Sequence, residues 1–486
     1  MKARHLPGGR AVLAAGTGIA MLALAAGPAT AAPVIDPAQR GSITIHKYEQ
    51  PDDPTQLPHD GTLLTPQQLG GLEPMDGVQF TVQQVDPAQY DLTTNAGWSA
   101  LEGLTPAAAR GDLGGHSTTV TTAGGGTATA GNLPLGVYLV TETVYPAGVT
   151  PSAPFLVTVP LTDPTNLDTW LYDVHVYPKN SVTTSTKTVD DSEGTTIGDT
   201  VEFTITGDIP DLAVIDGYQV VDQLAAALRY ESATVTLAGG PALDAGDYTV
   251  THDAGTVTVR FTPAGLLTLA ANPDAQVQVV LTTTVLTAGE ILNEAAVYPN
   301  LPSFTITPGE PGGPIVTPEV VTKWGNLTLQ KVDGEDDTVL LPDAEFRVYL
   351  TEQAARAQTG ALSIDGVSSW TTDGDGLLTI SGLRYSGWAD GVAVAPGQPG
   401  YQSYWVAEVK APDGYELLAA PIEFTVDDVD TAIDLTVENV AGNGGFTLPL
   451  TGAAGTALFG FAGALLVVGA TLLALRSRRQ RVTVGA

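Results

Sequence analysis

Apolar and polar residues alternate in short runs along most of the chain. GSITIHKYE (41–49), VEFTITGDI (201–209) and IEFTVDD (422–428) each place apolar side chains at every second position, and Gly, Pro, Asn and Asp bound the runs. A two-residue period predicts strands with one buried face. Short helices are expected at Thr65–Leu69 and Thr351–Ala357. The pattern predicts an all-β protein built from β-sandwiches in tandem.

The runs recur in the same order, which indicates tandem modules. Residues 41–180 and 325–440 each carry a strand with a Lys, a small-x-Phe strand, a strand with a central Glu, a further strand, and a last strand that closes with Asn. The middle stretch follows a similar plan, and the Pro/Gly-rich segment 305–320 is a connector. We therefore predict three domains, which cover residues 32–180, 181–320 and 321–445.

Both ends of the chain carry targeting patterns. Residues 1–31 have a basic start, an apolar stretch and small residues before Ala32, the order of a cleaved signal peptide. The polar, proline-rich sequence that follows disfavours the alternative of a membrane anchor. At the other end, LPLTG (448–452) precedes an apolar segment (453–475) long enough to span a bilayer and a basic cytoplasmic tail (476–486). This order resembles the cell-wall sorting signal of Gram-positive surface proteins.

The charge of the chain limits which partners it can bind, and its lack of cysteine limits how it can be stabilised. The chain has 20 Lys+Arg against 53 Asp+Glu, and seven of the basic residues lie in the two terminal segments, which hold no acidic residue. Residues 32–451 therefore keep 13 basic and 53 acidic side chains, which argues against nucleic acid or an anionic membrane as a partner. The chain has no cysteine, so an exported protein of this kind must rely on its cores or on another crosslink.

Lysine is scarce, and its placement is regular. Three lysines lie on the first predicted strand of a module, and each module also offers an acid and a terminal-strand asparagine. The three sets are Lys47, Glu142 and Asn180; Lys187, Asp222 and Asn293; and Lys331, Glu408 and Asn439. The other lysines of residues 32–451 are Lys179, Lys323 and Lys410.

Burial would make each set reactive. A lysine in an apolar core loses its proton and becomes a nucleophile, and a buried carboxylic acid keeps its proton and can polarise the asparagine amide. Proximity supplies much of the remaining barrier, so a Lys–Asn isopeptide bond forms with loss of ammonia and needs no cofactor, metal or enzyme. The alternative is a set of lysines at the solvent edge with unrelated asparagines. The first module fits least well, because Asn180 directly follows Lys179.

Three motifs together resemble one family. WLYDVHVYPKN (170–180), YWVAEVKAPDGYEL (404–417) and LPLTG are similar to the pilin motif, the E-box and the sorting signal of shaft pilins from sortase-assembled Gram-positive fimbriae of the SpaA type. The resemblance implies three tandem Ig-like domains of the collagen-adhesin-B kind. GVYLVTETV (136–144) matches an E-box only in part, because VYPAGV follows the acid where the family has Lys-Ala-Pro-x-Gly-Tyr. Glu142 is the catalytic acid that this departure puts in question.

The resemblance also implies which residue donates the acyl group and which residue accepts it when subunits are joined. It implies that a pilin sortase cleaves Leu448-Pro449-Leu450-Thr451-Gly452 after Thr451 and joins that threonine to Lys179 of another copy. Lys179 should therefore be exposed. A housekeeping sortase, peptidoglycan and a tip adhesin are the further partners implied, on the surface of a Gram-positive cell.

Two other kinds of site are disfavoured. Asp373-Gly-Asp375-Gly and the acidic run 333–337 lack the complete calcium-loop pattern and are predicted to be turns. The histidines show no metal-ligand spacing. Trp170, Trp324, Trp388 and Trp405 are expected to be core or interdomain anchors.

Three functions remain open from the sequence. The main hypothesis is the repeating subunit of a covalent fimbria that supports adhesion. A monomeric wall-anchored adhesin or pilus-base subunit would share every feature except the use of Lys179. A wall-bound hydrolase is disfavoured because no nucleophile–His–acid constellation stands out, so we expect no enzymatic activity beyond the bond formation itself.

The crosslinks predict a change in intact mass. Each isopeptide bond releases one ammonia, so the secreted segment should weigh about 17 Da less than its sequence for each bond formed. Mass spectrometry of the purified protein should show two or three such losses. An unshifted mass would refute the crosslinks and leave polymerisation through Lys179 untouched.

Overall fold

A computed structural model describes residues 35–51, 57–430 and 432–442. The predicted signal peptide, the LPLTG motif, the membrane span and the basic tail lie outside these residues. Within these residues the chain forms two compact units: the first holds 35–144 and 152–179, and the second holds 145–151 and 180–442. The all-β prediction is confirmed, because strands account for most of the regular structure. The predicted boundaries at 180/181 and 320/321 stay predictions.

Short strands dominate the part of the chain up to residue 182. They are β1 (Gly41–His46), β2 (Tyr48–Glu49), β3 (Gln79–Val85), β4 (Leu113–Thr121), β5 (Thr127–Leu133), β6 (Gly136–Val144), β7 (Val149–Thr150), β8 (Phe155–Val159), β9 (Leu161–Thr162), β10 (Trp170–Leu171), β11 (Asp173–Val176) and β12 (Lys179–Val182). Two helices interrupt them, α1 (Asn95–Ala100) and α2 (Pro106–Ala109).

Besides the short sheet of β9 and β10, the first unit contains two larger sheets. One has the strand order β11-β1-β5 and the other β4-β3-β6-β8. The alternation seen in the sequence orients the side chains: Ile43 and Ile45 of β1 and Phe80 of β3 are fully buried. Strand β11 runs parallel to β1, with Ile45 opposite Val176, so the WLYDVHVYPKN segment lies beside the first strand. This parallel pairing brings the two ends of the module together.

The second unit continues with longer strands. Residues 185–316 form β13 (Ser185–Asp190), β14 (Thr200–Asp208), β15 (Gln219–Gln223), β16 (Leu228–Ala238), β17 (Tyr248–Asp253), β18 (Thr256–Phe261), α3 (Pro263–Ala270), β19 (Gln276–Val285), β20 (Gly289–Asn293), β21 (Ala295–Tyr298), a 3-10 turn (Pro302–Thr305) and β22 (Ile315–Val316). Residues 320–439 form β23 (Val320–Asp333), β24 (Glu345–Tyr349), α4 (Glu352–Ala357), β25 (Trp370–Thr371), β26 (Leu377–Arg384), β27 (Trp388–Ala389), β28 (Val392–Ala393), β29 (Tyr404–Lys410), β30 (Ile422–Phe424) and β31 (Leu435–Asn439).

This unit contains two hydrophobic cores. The sheets β13-β14-β19-β16 and β17-β18-β15-β21-β22 supply most of the first core, which includes Phe203 and Tyr218 and also Trp324 of β23. Strands β20-β23-β26 with β31 form one sheet and β25-β24-β29-β30 another, and their strands supply the second core, which includes Phe346 and Tyr404. Burying an aromatic side chain removes roughly 150–250 Å² from water, so these residues dominate core stability.

One strand serves both cores. The first half of β23 pairs with β20, where Lys323 lies opposite Glu290, and its second half pairs with β26 and with β31. Trp324 sits at the changeover and is fully buried. The backbone therefore passes from one core to the other inside a continuous hydrogen-bonded ladder.

Hydrogen bonds of polar groups fix the junction, the region where β23 passes from one core to the other. The Arg384 side chain donates hydrogen bonds to the carbonyls of Gly194 (2.8 Å), Gly400 (3.0 Å) and Trp388. Asp191 and Asp390 each accept the other's backbone N–H, at 2.7 and 3.2 Å. Buried carbonyls and carboxylates are costly unless they are paired, so each group fixes the position of the other. The prediction of Trp324 and Trp388 as anchors fits here, because the Trp388 indole donates to Val321 O at 3.0 Å.

Threonines begin the helices. In each α-helix of the described residues the preceding Thr accepts a hydrogen bond from the backbone N–H three residues on, as Thr351 does from Ala354. The helix expected at 351–357 is confirmed as Glu352–Ala357. The helix expected at Thr65–Leu69 is wrong, because this segment forms only hydrogen-bonded turns before Gly70 and Gly71. The acidic loops are turns, as predicted: Asp373 Oδ1 accepts the N–H groups of Asp375 and Leu377.

Removing the Arg384 donors should loosen the junction. Arg384→Met would leave three buried carbonyls without a partner and should destabilise the second unit by about 2–4 kcal/mol. Hydrogen-exchange mass spectrometry should then show faster exchange at residues 190–200 and 384–402. Arg356→Met is the matched control, because the Arg356 side chain is 52% exposed. Equal exchange in the two variants would contradict a structural role for Arg384.

Candidate isopeptide sites and the acceptor lysine

The first-strand lysines are all buried. Lys47 and Lys331 have no exposed surface and Lys187 is 4% exposed. Each lies at a position where strand alternation directs the side chain into the core, and Lys47 and Lys187 extend over the rings of Phe80 and Phe203. These lysines are therefore not solvent-edge residues. Burial disfavours the ammonium form, so each amine is poised to lose its proton.

In the first unit, Lys47 lies next to Glu142. The Lys47 amine donates to Glu142 Oε1 at 2.5 Å, and the Ser152 hydroxyl donates to the same oxygen at 2.8 Å. Burial lowers the pKa of Lys47 to about 8, although the nearby Glu142 charge opposes the shift. Asn180 is fully buried and is the first residue of the second unit after Lys179. Asn180 as the partner of Lys47 stays a prediction.

In the middle module, Lys187 pairs with Asp222. The Lys187 amine donates to Asp222 Oδ2 at 2.5 Å, and burial raises the pKa of Asp222 and lowers that of Lys187. Asn293 is buried at the end of β20. Among the described residues, neither polar atom of its side chain has a hydrogen-bond partner, and Asp222 Oδ1 has none either. An unpaired buried amide costs roughly 1–3 kcal/mol, and condensation with Lys187 would consume it.

In the C-terminal module, the acid Glu408 accepts hydrogen bonds from the asparagine Asn439. Asn439 Nδ2 donates to both Glu408 oxygens, at 2.9 and 3.1 Å, and Leu418 N donates to Glu408 Oε2 at 2.8 Å. Lys331 donates to Val437 O at 2.9 Å. Burial lowers the pKa of Lys331 to about 8 and raises the pKa of Glu408.

Parallel pairing places Asn439 two residues beyond the strand partner of Lys331. Strand β31 lies parallel to β23 with Lys331 opposite Val437, and Asn439 follows two residues later. In the first unit β11 is likewise parallel to β1, and Tyr48 N donates to Pro178 O at 3.3 Å. Asn180 follows Pro178 by two residues, as Asn439 follows Val437. The similar sequence order of these two modules therefore corresponds to the same strand arrangement.

Lys179 is in a different environment. Its residue is half-buried rather than exposed, which corrects the expectation from the sequence, and it lines a cavity of about 670 Å³ within the first unit. Val176, Tyr177 and Phe155 also line the cavity, and partial burial lowers the pKa of Lys179. The amine is thus reachable from outside and yet partly desolvated, two conditions that favour a nucleophile.

The neighbouring motif residues are fixed by hydrogen bonds. The Tyr177 hydroxyl accepts from Leu64 N at 2.7 Å, and its ring stacks on His46 with 4.8 Å between centroids. His46 Nε2 and His175 Nδ1 are 3.0 Å apart, and His175 N donates to Gly61 O at 2.9 Å. The sequence analysis did not identify this histidine pair, and it also missed Ser152. Among the described residues, no group of three or more potential metal ligands occurs.

Comparisons with known proteins now complement this geometry. Residues 38–181 match the family model described as Gram-positive pilin subunit D1, N-terminal domain; residues 325–441 match a SpaA prealbumin-like fold domain; and residues 443–480 match the LPXTG cell wall anchor motif. Fimbrial subunit type 1 of Actinomyces viscosus is 33% identical to this chain, and the match covers 97% of both chains. The chain belongs to the shaft pilins of sortase-assembled Gram-positive fimbriae.

Solved pilins share this fold. The major pilin SpaD of Corynebacterium diphtheriae is 28% identical, with a TM-score of 0.67 over 84% of the chain and 99% of SpaD. The major pilin SpaA of the same organism is 26% identical, with a TM-score of 0.61 over 82% of the chain and all of SpaA. The SpaA structure is described as pointing to a modular pilus assembly with stabilizing isopeptide bonds. This pilin is accordingly a cell-wall-anchored subunit of a surface fimbria.

Several predicted sites of the pilin cannot be compared with the structure. Leu448, Pro449, Thr451 and Gly452 lie outside the described residues, as does the predicted span 453–475. In the portion of the chain that the structure describes, no helix has the length and apolar character needed to cross a membrane.

The lowered pKa of Lys331 predicts a pH-dependent stability once its partner amide is removed. In Asn439→Ala, Lys331 stays a free amine with a folded pKa near 8 against 10.5 in the unfolded chain. The unfolded state then binds more protons between these values, so stability should rise by about 3 kcal/mol from pH 8 to pH 10.5. Pulse proteolysis in urea, read from fragments of residues 325–439, measures this rise. The unmodified pilin, whose Lys331 would be an amide, should show no such rise; a flat profile in the variant would contradict the shift.

Proposed function

We propose that Lys179 is the amine through which this pilin joins the next subunit, and that its buried lysines close intramolecular isopeptide bonds. The contrast between the lysines carries the proposal. Lys187 is enclosed in a core beside Asp222 and Lys331 is fully buried, whereas Lys179 opens onto a cavity. Lys323 is held by Glu290 at 2.7 Å and lies over the Trp388 ring, so it is a poorer acceptor.

The intersubunit step is a transpeptidation. A pilin sortase breaks the bond between Thr451 and Gly452, keeps the threonine as an acyl group, and releases the glycine amine. The Lys179 amine then attacks the threonine carbonyl, forms the isopeptide bond and frees the sortase. Partial burial of Lys179 supports this role, because a lowered pKa raises the fraction of neutral amine available at neutral pH.

The intramolecular step needs no enzyme. The neutral Lys187 amine attacks Cγ of Asn293, and Asp222 passes a proton from that amine to Nδ2. The bond from Cγ to Nδ2 then breaks, and the nitrogen leaves as ammonia. Lys331, Asn439 and Glu408 would follow the same chemistry, and Lys47, Asn180 and Glu142 are the corresponding set of the first module. The raised pKa values of Asp222 and Glu408 favour the protonated acids that this step uses.

The two kinds of bond serve one mechanical role. Tension that enters at Lys179 and leaves at Thr451 runs through both later modules, so bonds Lys187–Asn293 and Lys331–Asn439 would bypass the strands between their ends. A crosslink that closes a loop of about 100 residues also restricts the unfolded chain by roughly 4–5 kcal/mol, on the model developed for disulfides. The first module lies largely outside this path and carries little load.

The proposal also includes the other partners of the pilin. The pilin polymerises with copies of itself, a housekeeping sortase attaches the last subunit to peptidoglycan, and a tip adhesin caps the fibre. The protein has no catalytic activity beyond closing its own bonds. The alternative of a monomeric wall-anchored adhesin or pilus-base subunit differs only in whether Lys179 is used.

Replacing Lys179 distinguishes these alternatives. Lys179→Arg keeps the positive charge but removes the nucleophilic amine, so the ladder of high-mass, SDS-resistant polymers should disappear from cell-wall extracts. Lys410→Arg is the control, because Lys410 is exposed and distant in sequence. Persistence of the ladder in Lys179→Arg would exclude Lys179 as the acceptor, and absence of a ladder in the unmodified strain would support the monomeric alternative.

A further inference from the structure

We propose that Ser152 is a positioning residue for Glu142, and that its hydroxyl replaces a backbone donor used by the C-terminal module. The inference rests on the proposed Lys47 isopeptide chemistry and deepens it. The Ser152 hydroxyl donates a hydrogen bond to Glu142 Oε1, the same oxygen that accepts a hydrogen bond from the Lys47 amine. It therefore acts on the acid and exchanges no atom with the product.

The backbone around the two acids is arranged alike in both modules. Glu142 lies opposite Phe80 and Glu408 lies opposite Phe346, and in both pairs one residue of the acid-bearing strand is bulged out between the next partners. The lysine backbones also match: Lys47 N donates to Gly126 O at 2.7 Å, and Lys331 N donates to Gly376 O at 2.8 Å. The two carboxyl groups therefore occupy equivalent positions.

The donor to each acid comes from the same distance along the chain. Leu418 is ten residues after Glu408 and donates its backbone N–H to Oε2 at 2.8 Å. Ser152 is ten residues after Glu142 and donates its hydroxyl to Oε1 at 2.8 Å. The segments between them agree at a proline four residues and a glycine six residues after the acid, Pro146 with Gly148 and Pro412 with Gly414. Both glycines have positive φ, 74° and 88°.

The backbone follows the same course in both modules up to this donor. Val149 and Thr150 of β7 pair with Val182 and Ser181; in the same way Tyr415 bridges to Ala441, and Glu416 N donates to Val440 O at 2.9 Å. The modules differ in the donating atom, which is the Ser152 hydroxyl in one and the Leu418 backbone N–H in the other. A serine side chain extends farther than a backbone N–H, so Ser152 can supply the same hydrogen bond. The incomplete E-box thus retains its function by a substitution of donor.

The hydroxyl should matter for the reaction itself. Two donors on Oε1 fix the rotation of the carboxyl group, so that it faces the Lys47 amine while the amine attacks Cγ of the predicted partner Asn180. Glu142 passes a proton from the Lys47 amine to Nδ2 of the asparagine, the bond from Cγ to Nδ2 breaks, and that nitrogen leaves as ammonia. Ser152 also lines the cavity beside Lys179, so water from the cavity would compete for Glu142 in its absence.

Variants at Ser152 test this role in the secreted chain. In Ser152→Ala the ammonia loss of residues 35–180, measured by mass spectrometry of proteolytic fragments, should be at least tenfold slower than in the unmodified pilin. The losses assigned to the other two modules are internal controls and should be complete. Ser152→Thr keeps a hydroxyl and should restore the rate, and Ser117→Ala changes an exposed serine of the same unit and should have no effect.

The pH profile separates positioning from packing. Loss of a donor should shift the pH dependence of the first-module reaction in Ser152→Ala relative to Ser152→Thr, whereas a packing defect would lower the rate at every pH alike. Full crosslinking of Ser152→Ala, or failure of Ser152→Thr in a folded first unit, would overturn the proposal. A first module that never loses ammonia in the unmodified pilin would also overturn it, while the bonds of the other modules and the role of Lys179 would stand.

Discussion

The pairing of a buried amine with a buried carboxyl group is the interaction on which this pilin depends. Neither group is stable as an isolated ion in an apolar core, so burial favours the neutral form of each, while the opposite charge of the partner counteracts that shift. Under the proposed function, the cost of burying the amine is offset when the amine condenses with a neighbouring asparagine and becomes a neutral amide. In the middle module the hydrogen bond from Lys187 to Asp222 represents this interaction at its simplest.

Lys331 and Lys179 differ in how deeply their side chains are buried. Lys331 follows strand alternation into the core, whereas Lys179 comes after Pro178 and begins a strand beside a cavity. Under the proposed function, enclosure commits Lys331 to a bond within its own module, and partial exposure leaves Lys179 available to a neighbouring subunit. A chain with few lysines can keep these roles apart, because few competing amines are present on its acidic surface.

Sequence patterns predicted the strands, the Lys–acid pairs Lys187–Asp222 and Lys47–Glu142, and the asparagine beside Glu408, because alternation and module order are local. The patterns failed where local structure or burial depends on contacts between residues that are distant in sequence. Helix α3 depends on a cap and on packing of Leu269, and segment 65–69 remains a turn. The partial burial of Lys179 follows from a cavity built by distant strands. The His46–His175 contact and the Ser152 donor require the pairing of β1 with β11 and the path after Glu142, which no single run of residues reveals.

The 14-residue strand β23 has a consequence for how a fibre twists. A flexible peptide between two cores would transmit pull but would let one core rotate freely about the other. Here a paired ladder, Trp324 and the Arg384 hydrogen bonds oppose that rotation. Torque applied to one core therefore reaches the other, so shear flow around a cell would turn the two cores together instead of winding the joint between them.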